Sequence, residues 1–307
     1  MSYWFMRMKQ GKGGHDFSEE LWSRGKVGVL FGTWRISHVL NEDGQIDPSK
    51  LTADAIENVC PQPKDEHAFT NKFLRPAKTF LRQVEVGHRV VVAFGQGVHV
   101  GTIGEGYLDD FELRGQRQEP FKCRPIYKCK SFRFADLPSV YRLIPNIGQG
   151  TIQQIHGLIR PIRLLDSCNS ALDVKATLAA MSAEQFLEML SPQQWEVICG
   201  EYLREKIGFR FLLLQSGKTL KDVDLVGVNA RGKRVIAQCK NDNKPWSASQ
   251  IVGWLDSASL ASTDEIYFFS RGGITGGTSN RCVVVDGQAI ASWLRSSPEY
   301  FQCVKTL

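Results

Sequence analysis

Two adjacent strand-like segments constrain the fold of this 307-residue chain more than any other feature. Residues 222–228 and 234–240 read as two strands with polar side chains at alternate positions near one end of each, and the short loop between them contains Arg231 followed by glycine. Strands separated by so short a loop pair as an antiparallel hairpin. Its register matters, because a slip of one residue would move every side chain to the opposite face.

The predicted register gathers four polar side chains on one face of the hairpin. With the turn centred on Arg231, Asp224 lies opposite Gln238 and Asp222 lies opposite Lys240, and opposed residues of an antiparallel pair share a face. The other face is the expected core side because it is apolar throughout. It carries Val223, Leu225, Val235, Ala237 and Cys239.

A helix with a strong start signal precedes the hairpin. Ser191, followed by proline and then by Gln194, has the form of a capping box with proline at the first helical position. Apolar residues then recur at helical spacing until Gly208 ends the pattern. Glu196 lies at the edge of the apolar stripe, so its carboxylate can point along the sheet. The helix therefore offers a second acid.

These residue types suit phosphodiester hydrolysis. A hard cation takes oxygen ligands, and a neighbouring positive charge helps water to attack phosphorus. We expect Asp224 to bind Mg²⁺, with Mn²⁺ as a substitute, together with the Gln238 side-chain oxygen or the Cys239 carbonyl. Lys240 would orient the water and stabilise the charge that develops on phosphorus. The alternative is an exposed, charged strand face with modest salt bridges.

The same residues resemble the Mrr-like branch of the PD-(D/E)xK nucleases. The resemblance rests on Trp195-Glu196, Asp222-Val223-Asp224-Leu225, Gln238-Cys239-Lys240 and Val285-Asp286-Gly287. It implies that Glu196, Asp224, Gln238 and Lys240 match the family's helix acid, metal aspartate and QxK pair. For residues 182–307 it also implies a restriction-endonuclease-like α/β fold, in which helices flank a central mixed sheet.

The first 160 residues read as short strands broken by glycines, a pattern that favours a small β-barrel or sandwich. Residues 163–181 lack strand character, so we expect them to link residues 1–162 to residues 182–307. The chain is therefore predicted to be an α+β protein of two domains. The expected N-terminal strands are Tyr3 to Met8, Val27 to Phe31, Arg89 to Phe94, Val98 to Ile103 and Phe121 to Phe134, with one short helix around Ala53 to Val59.

The positive charge of the chain lies in its first half. Residues 1–165 hold 23 Lys and Arg against 17 Asp and Glu, whereas residues 166–307 hold 15 of each. The density is highest between Arg114 and Arg133, as on surfaces that contact phosphates, with a solvated strand face as the alternative. The expected DNA-backbone contacts are Arg114, Arg117, Lys122, Arg124, Lys128 and Lys130.

Aromatic side chains cluster near the ends of the first two strands: Trp4, Phe5, Phe31 and Trp34. Such rings can stack on an extruded base, although core packing is their usual role. The half resembles the EVE domain of the PUA-like barrels in residues 3–5, 86–91 and 101–104, but it lacks the expected Trp-Gly-Val-Arg-Asn run near residue 31. The resemblance implies a small β-barrel that reads a modified base, and these four residues are the expected pocket.

Other classes of protein are disfavoured. The cysteines lack the spacing of zinc sites, no apolar run approaches the roughly 20 residues of a membrane span, and the first residues show no leader pattern. We therefore expect a cytoplasmic protein without a membrane partner.

The two halves together predict a modification-dependent, type IV-like restriction endonuclease. Its expected partner is double-stranded DNA that carries a modified base, with modified cytosine as the first candidate. One active site per chain favours a homodimer for double-strand cleavage. Two alternatives stay open: a nucleic-acid-binding module with an inactive nuclease fold, which the neutral Gln238 makes conceivable, and an RNA-directed nuclease.

Overall fold

The structure, a computed structural model, forms two compact units. Unit 1 comprises Met1–Leu137, Tyr141–Ile159 and Asp166–Ala171, and unit 2 comprises Pro138–Val140, Arg160–Leu165 and Leu172–Leu307. The structure describes residues 1–8, 15–30, 34–59, 74–110, 120–142, 144, 151–156, 158–211, 223–258, 260–261, 263–276 and 280–306.

Unit 1 is built around a curled, mixed sheet of seven strands. The strands are β1 (Tyr3–Met6), β2 (Lys26–Leu30), β3 (Arg89–Phe94), β4 (Gly97–Ile103), β5 (Leu108–Asp110), β6 (Phe121–Arg133) and β7 (Ile152–Gln154). The helices are α1 (Ser18–Ser23), α2 (Ala53–Val59) and α3 (Arg75–Arg82), with 3₁₀ turns at Ile36–Val39, Phe134–Asp136 and Ser139–Tyr141. The predicted strands and the helix at Ala53–Val59 are confirmed, with small shifts at the strand ends.

The strand order in this sheet is β2-β6-β4-β3-β1-β7, and β5 also pairs with β6. Only β1 and β3 are parallel among these pairs. Within the described residues the order ends at β2 and β7, so closure into a barrel stays a prediction. The turn between β3 and β4 is a tight hairpin, which Gly95 allows with a φ of +56°.

Unit 2 holds a second mixed sheet, in the order β14-β12-β10-β9-β8. The later strands are β8 (Arg210–Phe211), β9 (Leu225–Val228), β10 (Arg234–Lys240), β11 (Trp246–Ser247), β12 (Glu265–Ser270), β13 (Ile274–Thr275) and β14 (Val283–Asp286). The later helices are α4 (Ile159–Ser167), α5 (Ala171–Ala180), α6 (Ala183–Leu187), α7 (Pro192–Ile207), α8 (Ala248–Ser257), α9 (Gly287–Ser296) and α10 (Pro298–Thr306). The stretch 163–181, expected to be a linker, is therefore largely helical. Among the helices described here, none is both long and apolar enough to cross a membrane.

Helices cover both faces of this second sheet. Trp254 of α8 packs against Phe268 of β12, and Tyr202 of α7 packs against Phe269. Adjacent strand residues point to opposite faces, so the sheet lies between α8 and α7. Strands β10, β12 and β14 are parallel, and central parallel strands are usually buried on both sides. The polar face of the hairpin is consequently not a solvated surface, and Gln238 is only 3% exposed.

The predicted helix start and hairpin register are both confirmed. Ser191 and Gln194 form the capping box of α7, and Gly208 ends the helix in the left-handed region at φ +64°. In the hairpin, residues 225–228 pair with residues 237–234 in the expected register. The Asn229 side chain makes the turn by accepting two backbone N–H groups.

The Asp-Gly pair at the start of α9 has clear capping and packing roles. Asp286 caps the helix by accepting the Ala289 N–H at 2.7 Å. A β-carbon at Gly287 would lie 2.5 Å from the Arg271 carbonyl oxygen, so only glycine allows the chain after β12 to approach the start of α9.

Candidate active site

The Asp224 carboxylate lies just before the start of β9 and contacts two groups of β10. Its Oδ2 accepts the Gln238 Nε2–H and the Cys239 backbone N–H, each at 2.6 Å. β9 begins only at Leu225. The Asp224 Oδ2 atom therefore accepts the Cys239 N–H in place of a backbone carbonyl of β9. The predicted contact between Asp224 and Gln238 is therefore present. The Asp224 side chain also extends the hydrogen bonding between β9 and β10 by one bond.

Gln238 uses only one end of its buried amide. Nε2 donates to Asp224, whereas Oε1 is buried and has no hydrogen-bond partner. The reversed amide would place Oε1 against the carboxylate, so Asp224 dictates the orientation. A buried oxygen without a partner costs about 1–3 kcal/mol, and such a group in a native structure points to an absent water, ion or ligand.

Glu196 of α7 is electrostatically coupled to Asp224. Burial, reinforced by the negative charge of Asp224, raises the pKa of Glu196 from 4.5 to about 7. The helix places this half-buried acid where the sequence predicted, at the edge of the buried stripe. Near neutral pH the Glu196 carboxyl can therefore hold or release a proton.

Two buried thiols lie close to the acids, Cys199 on α7 and Cys239 on β10. They share a hydrogen bond, and burial raises the pKa of both thiols. A thiol that stays protonated is a poor nucleophile, so these side chains serve packing.

The backbone carbonyl of Cys239 points toward Asp224. Arg271 N–H donates to the Lys240 oxygen on the β12 side, so the carbonyl one residue earlier points toward the β9 side, where Asp224 lies.

Lys240 ends β10 on the same face as Gln238. Its Nζ lies 5.3 Å from the centre of the Trp246 ring, a contact that favours a cation and that the sequence did not suggest. In the part of the chain that the structure describes, Lys240 forms no ion pair. Its expected partner Asp222 lies outside that part.

The oxygen atoms at this site fit Mg²⁺. They are the Asp224 and Glu196 carboxylates, the unpartnered Gln238 Oε1 and the Cys239 carbonyl, and a hard cation takes such ligands together with water. A cation would also offset the negative charge of Asp224, which adds to burial in raising the Glu196 pKa. No group of three or more His, Cys, Asp or Glu side chains suited to a metal occurs among the described residues, so amide and backbone oxygens would have to complete the protein's share.

The expected DNA-backbone cations are largely engaged inside unit 1. Lys122 is 0% exposed, donates to a backbone carbonyl at 3.1 Å and lies 4.4 Å from the Trp34 ring centre. Arg124 is 2% exposed and donates to two backbone carbonyls, as does half-buried Lys130. The prediction that Lys122 and Arg124 contact the DNA backbone is therefore wrong, because the first half of β6 is buried. Lys128, further along the same strand, is exposed. Outside the described residues lie Arg114 and Arg117.

The expected base pocket is also part of the core of unit 1. Trp4, Phe5 and Trp34 are all buried, and the Trp4 Nε1–H donates to His88 at 3.2 Å. The three rings therefore cannot offer an open stacking face, and core packing was the correct alternative. The fourth predicted residue, Phe31, lies outside the described residues.

A half-buried aromatic group in unit 1 was missed by the sequence reasoning. Phe94 and His99 stack with ring centres 3.7 Å apart, and Trp22 lies 5.5 Å from His99. The hairpin register could have revealed the first pair, because Phe94 lies opposite Gly97 and leaves room for the ring of the diagonal neighbour. Burial lowers the pKa of His99 to about 4, so its ring is neutral at physiological pH.

Comparisons with known proteins add little. No protein-family model and no curated protein matches the chain. Among solved structures, a chain of the "Structure of EndoMS-dsDNA2 complex" is similar at 10% identity and a TM-score of 0.18, over 68% of this chain. The match spans 60% of the neighbour's length. A likeness at this score carries no argument about fold or function.

Proposed function

We propose that unit 2 is a metal-dependent nuclease that hydrolyses phosphodiester bonds of DNA. One observation carries the proposal: the contact of Asp224 with Gln238 and the Cys239 N–H, with Glu196 coupled to the same acid. The resemblance of these residues to the Mrr-like nucleases also supports the proposal.

Each residue has a distinct role in this proposal. Asp224, Gln238 and the Cys239 carbonyl hold the cation, which when bound supplies Lewis-acid stabilisation to the phosphoryl group. Glu196 holds a proton near neutral pH, and it adds a ligand once ionised. Lys240 stabilises negative charge that develops on the phosphate, because its cation has no partner carboxylate within the described residues.

A purely structural role for Asp224 is the competing explanation, since its carboxylate closes the sheet ladder. Asp224→Asn separates the two roles. The asparagine oxygen can still accept the Cys239 N–H, so the thermal midpoint should fall little, whereas Mg²⁺ binding measured by calorimetry should be lost. Metal binding that survives in the folded variant would leave Asp224 with the structural role only.

Cleavage of plasmid DNA by Lys240→Ala tests the catalytic role. We expect the rate to fall by at least about 100-fold, as when one electrostatic stabiliser of the transition state is removed, while DNA binding in Ca²⁺ is retained. Lys233→Ala is the matched control, because Lys233 is an exposed lysine just before the other end of β10. Wild-type protein that cuts no DNA with Mg²⁺ or Mn²⁺ would refute the nuclease proposal in favour of a binding module.

Dependence on a modified base is the finer part of the proposal and belongs to unit 1. It is supported by the resemblance to the EVE domain and by the half-buried group of Trp22, Phe94 and His99, whose rings could stack on a base. We expect wild-type protein to prefer plasmids with modified cytosine and Trp22→Ala to lose the preference, whereas Trp4→Phe in the core should keep it. Equal cleavage of plain and modified plasmids by the wild type would exclude this part. Sedimentation with DNA would test the homodimer.

A further inference from the structure

The indole ring of Trp246 contacts two oppositely charged neighbours. Lys240 Nζ lies 5.3 Å from the centre of the ring, and the ring Nε1–H donates to Asp242 Oδ2 at 3.2 Å. The face of an aromatic ring is electron-rich and attracts a cation, whereas the indole N–H at its edge donates a hydrogen bond. Trp246 therefore holds the ammonium group at its face and the carboxylate at its edge.

Backbone hydrogen bonds fix the position of this ring. Trp246 begins the short strand β11, which pairs with β13, and its backbone N–H donates to the Gly273 carbonyl at 3.0 Å. The same carbonyl accepts the Ser270 hydroxyl at 2.7 Å, and Ser270 is the register partner of Lys240 on β12. The segment that carries the indole is thus tied to the strand end beside Lys240.

The ring also packs on the sheet face that carries Lys240. Its centre lies 5.4 Å from that of the Phe268 ring, at an interplanar angle of 55°. Phe268 is the register partner of Gln238 on β10, so the two side chains share a face, and Lys240 follows two residues later on that face. A backbone ladder, a hydrogen bond and a ring contact therefore define one position for the half-buried indole.

Lys240 requires such a support to have a defined direction. A lysine ammonium is a point charge on a flexible four-carbon stem, unlike the planar fork of arginine. Lys240 is the last residue of β10 and is half-buried, and it forms no ion pair with any acid that the structure describes. Asp242, two residues further along, instead accepts the indole N–H. The contact with the ring therefore leaves the positive charge of Lys240 free of a carboxylate in the described chain.

We propose that Trp246 is a positioning residue that holds Lys240 where the ammonium group stabilises negative charge on the phosphate. The inference rests on the proposed nuclease function, because it explains how the lysine of that site is aimed. Electrostatic stabilisation of a transition state depends on charges that are fixed before the reaction, and a displacement of about 1 Å can cost about 100-fold in rate. Trp246 acts through Lys240.

A measurement that needs no activity tests the contact first. Reductive methylation adds isotope-labelled dimethyl groups to the lysines of the full chain and keeps their charge, and Lys240→Arg identifies the Lys240 NMR signal by its loss. We expect the ring current of Trp246 to shift this signal upfield and the shift to vanish in Trp246→Leu. Trp254→Leu is the matched control and should keep the shift, since Trp254 lies at the same 5.4 Å from Phe268 but belongs to α8.

Variants of Asp242 repeat the test at an exposed residue, where substitution should leave folding intact even if Trp246→Leu does not fold. Asp242→Asn keeps an oxygen that can accept the indole N–H, whereas Asp242→Ala removes it. Both variants lose the same negative charge, so the comparison isolates the hydrogen bond. We expect the upfield shift of the Lys240 signal to persist in Asp242→Asn and to decrease in Asp242→Ala. Equal shifts in these two variants and in Trp246→Leu would overturn the proposal.

Plasmid cleavage in Mg²⁺ tests the positioning role. We expect Trp246→Leu to lower kcat by roughly 10-fold, within the range of a cation–π contact, and to leave KM unchanged, because Lys240 acts on charge that develops in the transition state. Trp246→Phe keeps a ring face and should restore most of the rate. A loss that Trp246→Phe does not restore, or an effect on KM alone, would assign Trp246 a structural role and overturn the proposal.

The two assays separate this proposal from the proposed function. A wild type that cuts DNA, together with a folded Trp246→Leu variant of unchanged kcat, would refute the positioning role alone. A wild type that cuts no DNA but shows the shifted Lys240 signal would refute the nuclease proposal, whereas the support of Lys240 by Trp246 would stand.

Discussion

Replacement of Glu196 by glutamine should change how stability depends on pH. Burial and the charge of Asp224 raise the Glu196 pKa from 4.5 to about 7. A pKa difference of this size corresponds to about 3 kcal/mol, at 1.36 kcal/mol per pH unit. Solvent screening at a half-buried carboxyl reduces the effect to roughly 1–2 kcal/mol. Glutamine has a similar shape and never ionises, so the variant removes the titration while it preserves the packing.

The sign of the effect follows from proton linkage. Between pH 4.5 and about 7 the folded state keeps a proton on Glu196 that the unfolded chain has lost, so this group makes the wild type less stable as pH rises. The Glu196→Gln variant does not lose stability in this way, because glutamine does not ionise. We expect the variant to be more stable than the wild type by roughly 1–2 kcal/mol at pH 8, and the difference to vanish toward pH 4.5.

Thermal melting of both proteins from pH 4.5 to 8.5 measures this difference, and common contributions cancel in the comparison. Mg²⁺ should then reverse the order at pH 8, because a ligand at 100 times its Kd stabilises the folded state by about 2.7 kcal/mol and the wild type has the additional carboxylate. Glu201→Gln is the control, since Glu201 on the same helix forms a surface pair with Arg204. Parallel pH profiles for wild type and Glu196→Gln would refute the raised pKa of Glu196.

Two further predictions concern stability alone. Gly287→Ala should destabilise the protein by about 1–3 kcal/mol through overpacking, since its β-carbon would meet a carbonyl oxygen at 2.5 Å. Gly253→Ala, whose β-carbon would have nothing within 4 Å, should stabilise α8 by about 0.5–1 kcal/mol. Equal melting temperatures for the two variants would contradict the packing argument. Lys122→Ala should lower the free energy of unfolding by about 2 kcal/mol or more, because the lysine side chain is fully buried. Lys128 is exposed, so Lys128→Ala should change this free energy by less than about 0.5 kcal/mol. A Lys122→Ala protein of wild-type stability with weakened DNA binding would instead support a DNA-contacting role for Lys122.

Local signals predicted the parts of the site that lie within one element or one turn. The cap at Ser191 and the glycine at Gly208 define α7 because both act within a single helical turn. The hairpin register followed from the short turn and brought Asp224 to Gln238. The position of Glu196 followed from helical spacing. These features need no knowledge of which distant segments meet.

The remaining features depend on distant neighbours and could not be read from the sequence. The cations of β6 looked like a solvated stripe, yet Lys122 and Arg124 are covered by chain that is far away in sequence. The burial of Gln238 depends on α8, which packs on a face that alternation alone would leave open. The backbone contact of Arg271 with Lys240 is a further example, because it depends on the pairing of β12 with β10.

The hydrogen bond from the Cys239 amide to Asp224 turns one backbone proton into a sensor of the candidate metal site. Any cation that draws charge from that carboxylate weakens it as an acceptor, so exchange of the Cys239 amide with deuterium would report metal occupancy without any need for turnover. Metal binding and strand pairing are therefore coupled. Removal of the cation should change the protection of the amides between β9 and β10 against exchange, and we expect weaker protection in the metal-free protein than in the metal-bound form.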